Sequence, residues 1–141
     1  MRSRRRVPGA FLAASVILAT VIAGCGFDIQ EPDLFLIKRT GPGGKLTMLV
    51  NSDGTVTCNG KQGQSLASSL LITARNIQPN IHYDAQKKLH IPRSANAVYM
   101  YSVETDSGTI SFPDTAAAHH PSLAQLELFT VQAAQSSCGI S

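Results

Sequence analysis

The sequence has no tryptophan, few charged residues and, beyond its first positions, no run of more than two basic residues. Only 15% of its 141 residues are charged, and four of the twelve Lys and Arg residues lie within residues 1–6. The part from residue 25 onward therefore has eight basic and nine acidic side chains, a net charge of −1. Nucleic-acid-binding domains need a basic stripe along the phosphate backbone. The sequence predicts no nucleic-acid partner.

Catalytic and cofactor motifs are also missing. A serine-hydrolase elbow needs the pattern G-x-S-x-G, but residues 63–67 are GQSLA and lack the final glycine, so we expect Ser65 to cap a helix instead. Neither Gly-Lys pair has the glycine spacing of a phosphate-binding loop. The nine acidic residues are scattered and lie mostly beside turn residues. We expect no enzyme activity and no cofactor, and a hydrolase assembled from distant Ser, His and Asp residues is the open alternative.

The adjacent pair His119 and His120, with Asp114 close by in the sequence, is the nearest approach to a metal site. Adjacent side chains point in different directions on a strand or a helix, and metal sites draw their ligands from several elements. The pair therefore indicates a solvated loop that leads into a helix. We predict no metal site.

The first 25 residues have the layout of a secretory signal peptide. Four arginines within residues 1–6 precede an uncharged apolar stretch over residues 10–23. That stretch is shorter than the roughly 18 to 20 residues of a membrane-spanning helix, so a cleaved signal peptide is favoured over a membrane span. The sequence leaves open whether export uses the general secretory or the twin-arginine route.

The apolar stretch ends in IAGC, residues 22–25, which resembles the lipobox of bacterial lipoproteins. The resemblance implies that diacylglycerol is attached to the Cys25 sulfur after residues 1–24 are removed. It also implies a tether over residues 25–33 and a domain over residues 34–141 on the extracytoplasmic face of the cell membrane. The membrane is then a partner through the lipid on Cys25. The alternative is an ordinary signal, cleavable or uncleaved, that ends in a membrane-buried cysteine.

Two cysteines remain once Cys25 carries lipid. Cys58 and Cys138 then form one even pair in an oxidising compartment, where a disulfide is the expected outcome. The bond would close a loop of about 80 residues. Two separate buried thiols are the alternative.

Periodicity predicts a single small α+β domain with an antiparallel sheet and two helices. Strands are predicted over residues 34–39, 45–51, 55–58, 97–104 and 109–112, and helices over residues 65–78 and 121–135. Pro79 and Asn80 are expected to end the first helix, and residues 81–93 are expected to be a connection with one helical turn. The predicted order is β-β-β-α-β-β-α.

Tyr99 and Tyr101 fall on the same face of a predicted strand. A pair of tyrosines on a sheet face is suited to a binding surface, although ordinary cross-strand packing explains it as well. Together with the anchor and the missing motifs, this predicts a cell-envelope lipoprotein with a non-catalytic binding or structural domain. Its partner is an envelope protein or ligand that the sequence does not identify.

A second resemblance concerns the domain itself. RTGPGG at residues 39–44, VYMYSVE at residues 98–104, ISFPD at residues 110–114 and a terminal helix after Pro121 are similar in order to emfourin-type inhibitors of thermolysin-like metalloproteases. The resemblance implies, as an alternative function, a small protease-inhibitor-like domain presented at the membrane surface. It assigns no inhibitory residues in this sequence.

Overall fold

The structure, a computed structural model, describes residues 33–140. Its strands are β1 (Asp33–Gly41), β2 (Gly44–Asn51), β3 (Val56–Cys58), β4 (Lys61–Gln62), β5 (Met100–Thr105) and β6 (Gly108–Pro113), and its helices are α1 (Ser68–Gln86) and α2 (Pro121–Cys138). A short 3-10 helix over Asp114–Ala118 precedes α2. The predicted α+β class and the predicted order are confirmed, with the two-residue strand β4 added. Within the described range, no helix is both long and apolar enough to cross a membrane.

All six strands form one antiparallel sheet in the order β4-β3-β2-β1-β5-β6. The β1–β2 hairpin closes where Gly41 pairs with Gly44, and Gly43 and Gly44 have the positive φ angles that favour glycine. Along β2, Leu46, Met48 and Val50 are buried while the residues between them are not. This alternation gives the sheet one apolar face.

Both helices cover that apolar face. Their buried residues recur at steps of three or four, as an amphipathic helix requires: Ala74, Ile77, Ile81 and Ala85 on α1, and Leu123, Leu126, Phe129 and Ala133 on α2. The Phe129 ring meets the Phe35 ring of β1 edge-on at 5.8 Å between centroids. The core is therefore a single layer between the sheet and the two helices.

The predicted end of the first helix is wrong. Pro79 lies inside α1, which continues to Gln86 and so includes the first six residues of the segment 81–93 that was predicted to be a connection. A proline in a helix interior costs about 3 kcal/mol because it removes a hydrogen bond and crowds the preceding turn. Ile81 and Ala85 continue the buried stripe beyond Pro79, and burying a residue such as Ile81 contributes about 1.5 to 3 kcal/mol. Packing against the sheet therefore outweighs the local effect of the proline.

The predicted role of Ser65 is also wrong. α1 begins at Ser68, its cap residue is Ala67, and no side chain caps it. Leu66 is buried, and its backbone N–H donates to the Gly54 carbonyl at 2.9 Å. This bond holds the chain extended beside the sheet, so the helix starts later than the sequence pattern suggests.

The sheet also differs from the prediction at the start of β5 and by the additional strand β4. β5 begins at Met100 rather than Ala97, because the Asp114 carboxylate accepts the N–H groups of Val98 and Tyr99 at 3.2 Å. β4 follows a tight turn at Asn59 and Gly60, both with positive φ. Asn-Gly is a strong hairpin signal, so β4 was predictable from the sequence.

A disulfide joins Cys58 at the end of β3 to Cys138 at the end of α2, with the two Cα atoms 5.7 Å apart. The predicted pairing is confirmed. The Ser137 carbonyl accepts the Gln64 N–H at 2.9 Å beside it, and a Cβ at Gly63 would lie 2.7 Å from the same carbonyl oxygen. The C-terminal end of α2 is therefore held against the sheet both covalently and by close backbone contact.

We expect the double substitution Cys58→Ala/Cys138→Ala to lower the free energy of unfolding by about 2 to 4 kcal/mol, because the bond constrains a long loop in the unfolded chain. Urea denaturation followed by circular dichroism measures the change. Wild-type protein unfolded under reducing conditions is the matched control and should reach the same value. Equal stability of the oxidised wild type and the double variant would contradict the prediction.

Candidate functional site

A groove beside α2 brings together charged, aromatic and exposed apolar side chains. Its volume is about 410 Å³. Its lining consists of Arg39, Tyr99, Tyr101, Asp114, Ala117, Ala124, Glu127, Leu128 and Val131. We call it the α2 groove.

The alternation of side chains along β1 determines where Arg39, the basic residue of the α2 groove, lies. Phe35 and Ile37 of β1 point into the core, so Arg39, two residues further, lies on the same side of the strand at the rim of the apolar layer. Arg39 pairs across the sheet with Tyr101 of β5. β1 and β5 therefore supply one wall of the groove, and α2 supplies the other.

Arg39 is held against Tyr99. Its guanidinium carbon lies 5.0 Å from the centroid of the Tyr99 ring, within the range of a cation–π contact. A side chain at Gly41 would collide with that ring, so glycine at this position lets Tyr99 lie against the β1–β2 hairpin. The two side chains form a fixed platform at one end of the groove.

The Asp114 carboxylate accepts hydrogen bonds from the backbone. Its carboxylate oxygens lie 3.2 Å from the Val98 N–H, and one of them also accepts the Tyr99 N–H at 3.2 Å. Asp114 therefore positions Tyr99 at the entrance to β5. It also brings a negative charge to the groove.

Glu127 places a carboxyl group with a raised pKa in the groove. Its Oε1 atom is buried and has no hydrogen-bond partner. Burial, and then the negative charge of Asp114, raises the pKa of Glu127 to about 7. Near neutral pH its carboxyl group therefore exists in both the protonated and the ionised form, so it can donate or accept a hydrogen bond.

Tyr101 lies deeper than the rest of the groove. Burial, and then the charge of Glu127, raises the pKa of Tyr101 to about 12, although the nearby Arg39 acts in the opposite direction. Its ring stacks on Phe112 at 5.2 Å between centroids. Tyr101 remains a neutral phenol at physiological pH and forms part of the groove floor.

The outer rim is apolar and open. Leu128 is 59% exposed and Val131 is 38% exposed, and both lie on α2. An exposed apolar rim next to a few converging polar groups is typical of a binding site. The raised pKa of the Glu127 carboxyl also favours a binding site, because such shifts cluster at functional sites.

The predicted tyrosine surface is only partly open in the structure. Tyr99 is half-buried and borders the α2 groove, whereas Tyr101 is 3% exposed beneath α2. The open part of this region is therefore made by Tyr99 together with Leu128 and Val131. The predicted lipidation site, Cys25, lies outside the described residues.

The other predicted or considered groups do not join the groove. His119 and His120 border a separate cavity of about 360 Å³ whose lining includes Ile91 and Pro113. Among residues 33–140, no three His, Cys, Asp or Glu side chains converge as a metal site would require. Asp53 is a turn residue, since its carboxylate accepts the N–H and the hydroxyl of Thr55 at 2.8 Å.

His82, Asp106 and Ser107 form a cluster that was not predicted. His82 Nδ1 lies 2.9 Å from the Asp106 carboxylate, and Ser107 Oγ lies 2.9 Å from Nδ1 and 2.7 Å from Nε2. Because Oγ is almost equally close to both ring nitrogens, it is not aligned with one of them as a nucleophile and its base would be. The Ser107 N–H donates to Thr105 Oγ1, so it is not free to stabilise an oxyanion. The cluster joins α1 to the β5–β6 turn.

The largest of the described cavities, about 700 Å³, borders the disulfide. Its lining is mostly amides, hydroxyls and backbone, and Lys61 is its one ionisable side chain. The α2 groove is smaller but combines Arg39, Glu127 and an apolar rim. We therefore take the α2 groove as the candidate site.

No family model, curated protein or solved structure matches this chain.

Arg39 and Glu127 were not predicted as site residues, although the sequence pattern around each of them contains an indication. Arg39 continues the inward alternation of Phe35 and Ile37, so a charged residue stands where the pattern calls for an apolar one. Glu127 directly follows the buried Leu126 on α2. A charge at the border of an apolar stripe marks the edge of a core, although the sequence does not show that these two edges meet.

We expect the Glu127→Gln variant to gain stability relative to the wild type as pH rises. The folded pKa of about 7 lies above the ordinary value of 4.5, so the wild type loses stability between those pH values, because the unfolded chain releases the Glu127 proton while the folded protein retains it. After allowance for the partial exposure of Glu127, the expected relative gain at pH 8 over pH 4.5 is about 1 to 2 kcal/mol.

Urea unfolding at pH 4.5, 6 and 8 measures this difference. Asp84→Asn on α1 makes the same chemical change away from the groove and serves as the control. A Glu127→Gln effect that is the same at pH 4.5 and pH 8 would mean that the carboxyl does not titrate abnormally in the folded protein.

Proposed function

We propose that this chain is a lipoprotein anchored through Cys25 to the extracytoplasmic face of the cell membrane, and that its domain binds a partner in the α2 groove without catalysing a reaction. The observation that carries the binding role is the meeting of Arg39, the half-buried Glu127 and the exposed Leu128 in one groove. These groups offer complementary contacts to a partner that brings both apolar and polar atoms.

The chemistry of the groove suggests how such a partner binds. An apolar side chain of the partner covers Leu128 and Val131, and removing that surface from water favours binding. A polar group of the partner reaches Arg39 and the accessible part of Glu127, both of which are already positioned by the sheet and α2. Fixed polar groups favour specificity because a partner that leaves them unpaired binds more weakly.

The anchor is supported by the sequence alone, since Cys25 lies outside the described residues. Basic residues, an apolar stretch and IAGC at residues 22–25 agree in order and spacing with a lipoprotein signal. Burial of acyl chains contributes about 0.8 kcal/mol per methylene, so two chains hold a protein stably on a membrane. The groove would then act on a partner at the membrane surface.

A protease-inhibitor-like domain is the alternative. The observation in its favour is the tip of the β1–β2 hairpin, where Pro42, Gly43 and Lys45 are exposed on a well-paired turn. An exposed hairpin turn is one way to enter a protease cleft. Inhibition of a thermolysin-like metalloprotease by the purified protein would favour this alternative over a groove-binding role.

We expect protein extracted from bacterial membranes to have the intact mass of residues 25–141 plus diacylglycerol, and to gain two hydrogens on reduction because the disulfide opens. A Cys25→Ala variant is the control and should carry no lipid. Intact mass spectrometry measures both. A wild-type mass without lipid, or one that includes Met1, would contradict the proposed anchor.

We expect a photo-cross-linking amino acid at Leu128 to capture one partner in intact cells. The matched control is the same amino acid at Ile72 on α1, because both positions are exposed apolar residues on helices. The Leu128 product should weaken when Arg39→Gln or Glu127→Ala is added, since both changes remove groove contacts. Equal products from Leu128 and Ile72, or a Leu128 product insensitive to both changes, would count against the groove as the binding site.

A further inference from the structure

The Cys58–Cys138 disulfide borders the largest of the described cavities, which has a volume of about 700 Å³. Both cysteines line this cavity, and its other lining residues belong to the β3–β4 hairpin, to the chain that follows it and to the end of α2. Exposed disulfides exchange with thiols more readily than enclosed ones. The cavity therefore gives a dissolved thiol access to this bond.

The two sulfur atoms of the bond differ in access. Cys58 is 8% exposed and belongs to the apolar layer, and a Cβ at Gly63 would lie only 3.0 Å from its Sγ atom. Cys138 is half-buried, and a Cβ on the following Gly139 would meet no described atom within 4 Å beyond its chain neighbours. The backbone thus covers Cys58 closely, whereas the chain around Cys138 faces open space. An incoming thiol reaches Cys138 first.

Lys61 lies beside Cys58 in the β3–β4 hairpin. The two residues are direct cross-strand partners, so their side chains lie on the same side of the sheet with Cβ atoms about 5 Å apart. Lys61 is also the one ionisable side chain that lines the cavity. A neighbouring ammonium group stabilises a thiolate. Negative charge released on the Cys58 sulfur is therefore favoured.

Cys138 has the opposite electrostatic surroundings, because it is the last residue of α2. The C-terminal end of a helix carries a partial negative charge, which disfavours a thiolate at that position. Exchange is fastest when the attacked sulfur is accessible and the departing sulfur is stabilised as a thiolate. Access and charge therefore select the same order, in which Cys138 is attacked and Cys58 departs.

We propose that the Cys58–Cys138 bond is a thiol–disulfide exchange site for a dithiol partner. A thiolate of the dithiol forms a bond with Cys138 Sγ while the Cys58–Cys138 bond breaks, and the electron pair of the broken bond stays on Cys58 Sγ. The second thiolate of the dithiol then attacks the sulfur that is bound to Cys138, and Cys138 departs as a thiolate. The dithiol is oxidised to a disulfide, and the two cysteines are reduced and take up the two protons that the dithiol has lost.

Opening the bond would release only one end of α2. The Gln64 N–H still donates to the Ser137 carbonyl, and the α2 residues of the groove end at Val131, about two turns before Cys138. The apolar layer around Phe129 lies further along the helix. Exchange would therefore change how the end of α2 is held while the domain stays folded, a role that is separate from binding in the α2 groove.

Reaction with reduced glutathione tests the site in the full chain carrying Cys25→Ala, so that Cys58 and Cys138 are its only cysteines. Glutathione is small and negatively charged, which suits a cavity whose ionisable side chain is a lysine. Acid quenching protonates thiolates and stops the exchange, and peptide mass spectrometry then identifies the cysteine that carries glutathione. The rate of bond opening is measured in parallel at urea concentrations below the unfolding transition.

Lys61→Gln tests the stabilisation of the departing thiolate. Lys45→Gln is the matched control, because Lys45 is also an exposed lysine at a strand end but does not line the cavity. Circular dichroism confirms that each oxidised protein and each glutathione-treated protein is folded.

We expect glutathione on Cys138 to exceed glutathione on Cys58 by about tenfold or more, and the opening rate to change little with urea. Lys61→Gln should slow opening by about threefold or more, whereas Lys45→Gln should leave the rate unchanged. These results together would support an exchange site that operates in the folded protein.

Glutathione found equally on both cysteines, or mainly on Cys58, would overturn the proposed order of attack. An opening rate that rises with urea in proportion to the unfolded fraction would overturn the exchange site itself, because the bond would then open only in unfolded chains. Equal rates for Lys61→Gln and Lys45→Gln would overturn the role of Lys61. The test needs neither lipid nor a groove partner, so its outcome is independent of the proposed function.

Discussion

The edge-on contact between Phe35 of β1 and Phe129 of α2 lies at the centre of the apolar layer on which the rest of the structure depends. Burial of apolar surface is the main favourable term in folding, and here it is concentrated on one face of one sheet. Once α2 packs on Phe35, the positions of its neighbouring residues are set as well. The α2 groove is a consequence of that packing rather than a separate structure.

The groove forms where the apolar layer ends. Arg39 follows Ile37 on the inward side of β1, and Glu127 lies on α2 at the border of its buried stripe. Both charges are thus drawn partly out of water by the packing of their neighbours. For Glu127 this burial is the first cause of a pKa near 7, so the same layer that stabilises the fold also creates a carboxyl that titrates near neutral pH.

The sequence pattern was sufficient for the order of elements because periods of two and of three to four residues are what a one-sided layer requires. It was not sufficient at Pro79, where a local rule was overridden by the burial of Ile81 on the sheet. The disulfide followed from counting cysteines. The groove was not predictable, because Arg39 and Glu127 are far apart in sequence and meet only through the way α2 lies over β1 and β5.

A sheet with helices on one face also needs side chains on its other face that tolerate water or are covered. Polar pairing meets this need at Lys38 and Glu104, which can remain partly in water. Leu36 is different, since full exposure of an apolar residue beside Leu49 would leave an open patch on a central strand. Leu36 is instead completely buried, so this end of β1 differs from the ion-paired part of the same sheet face.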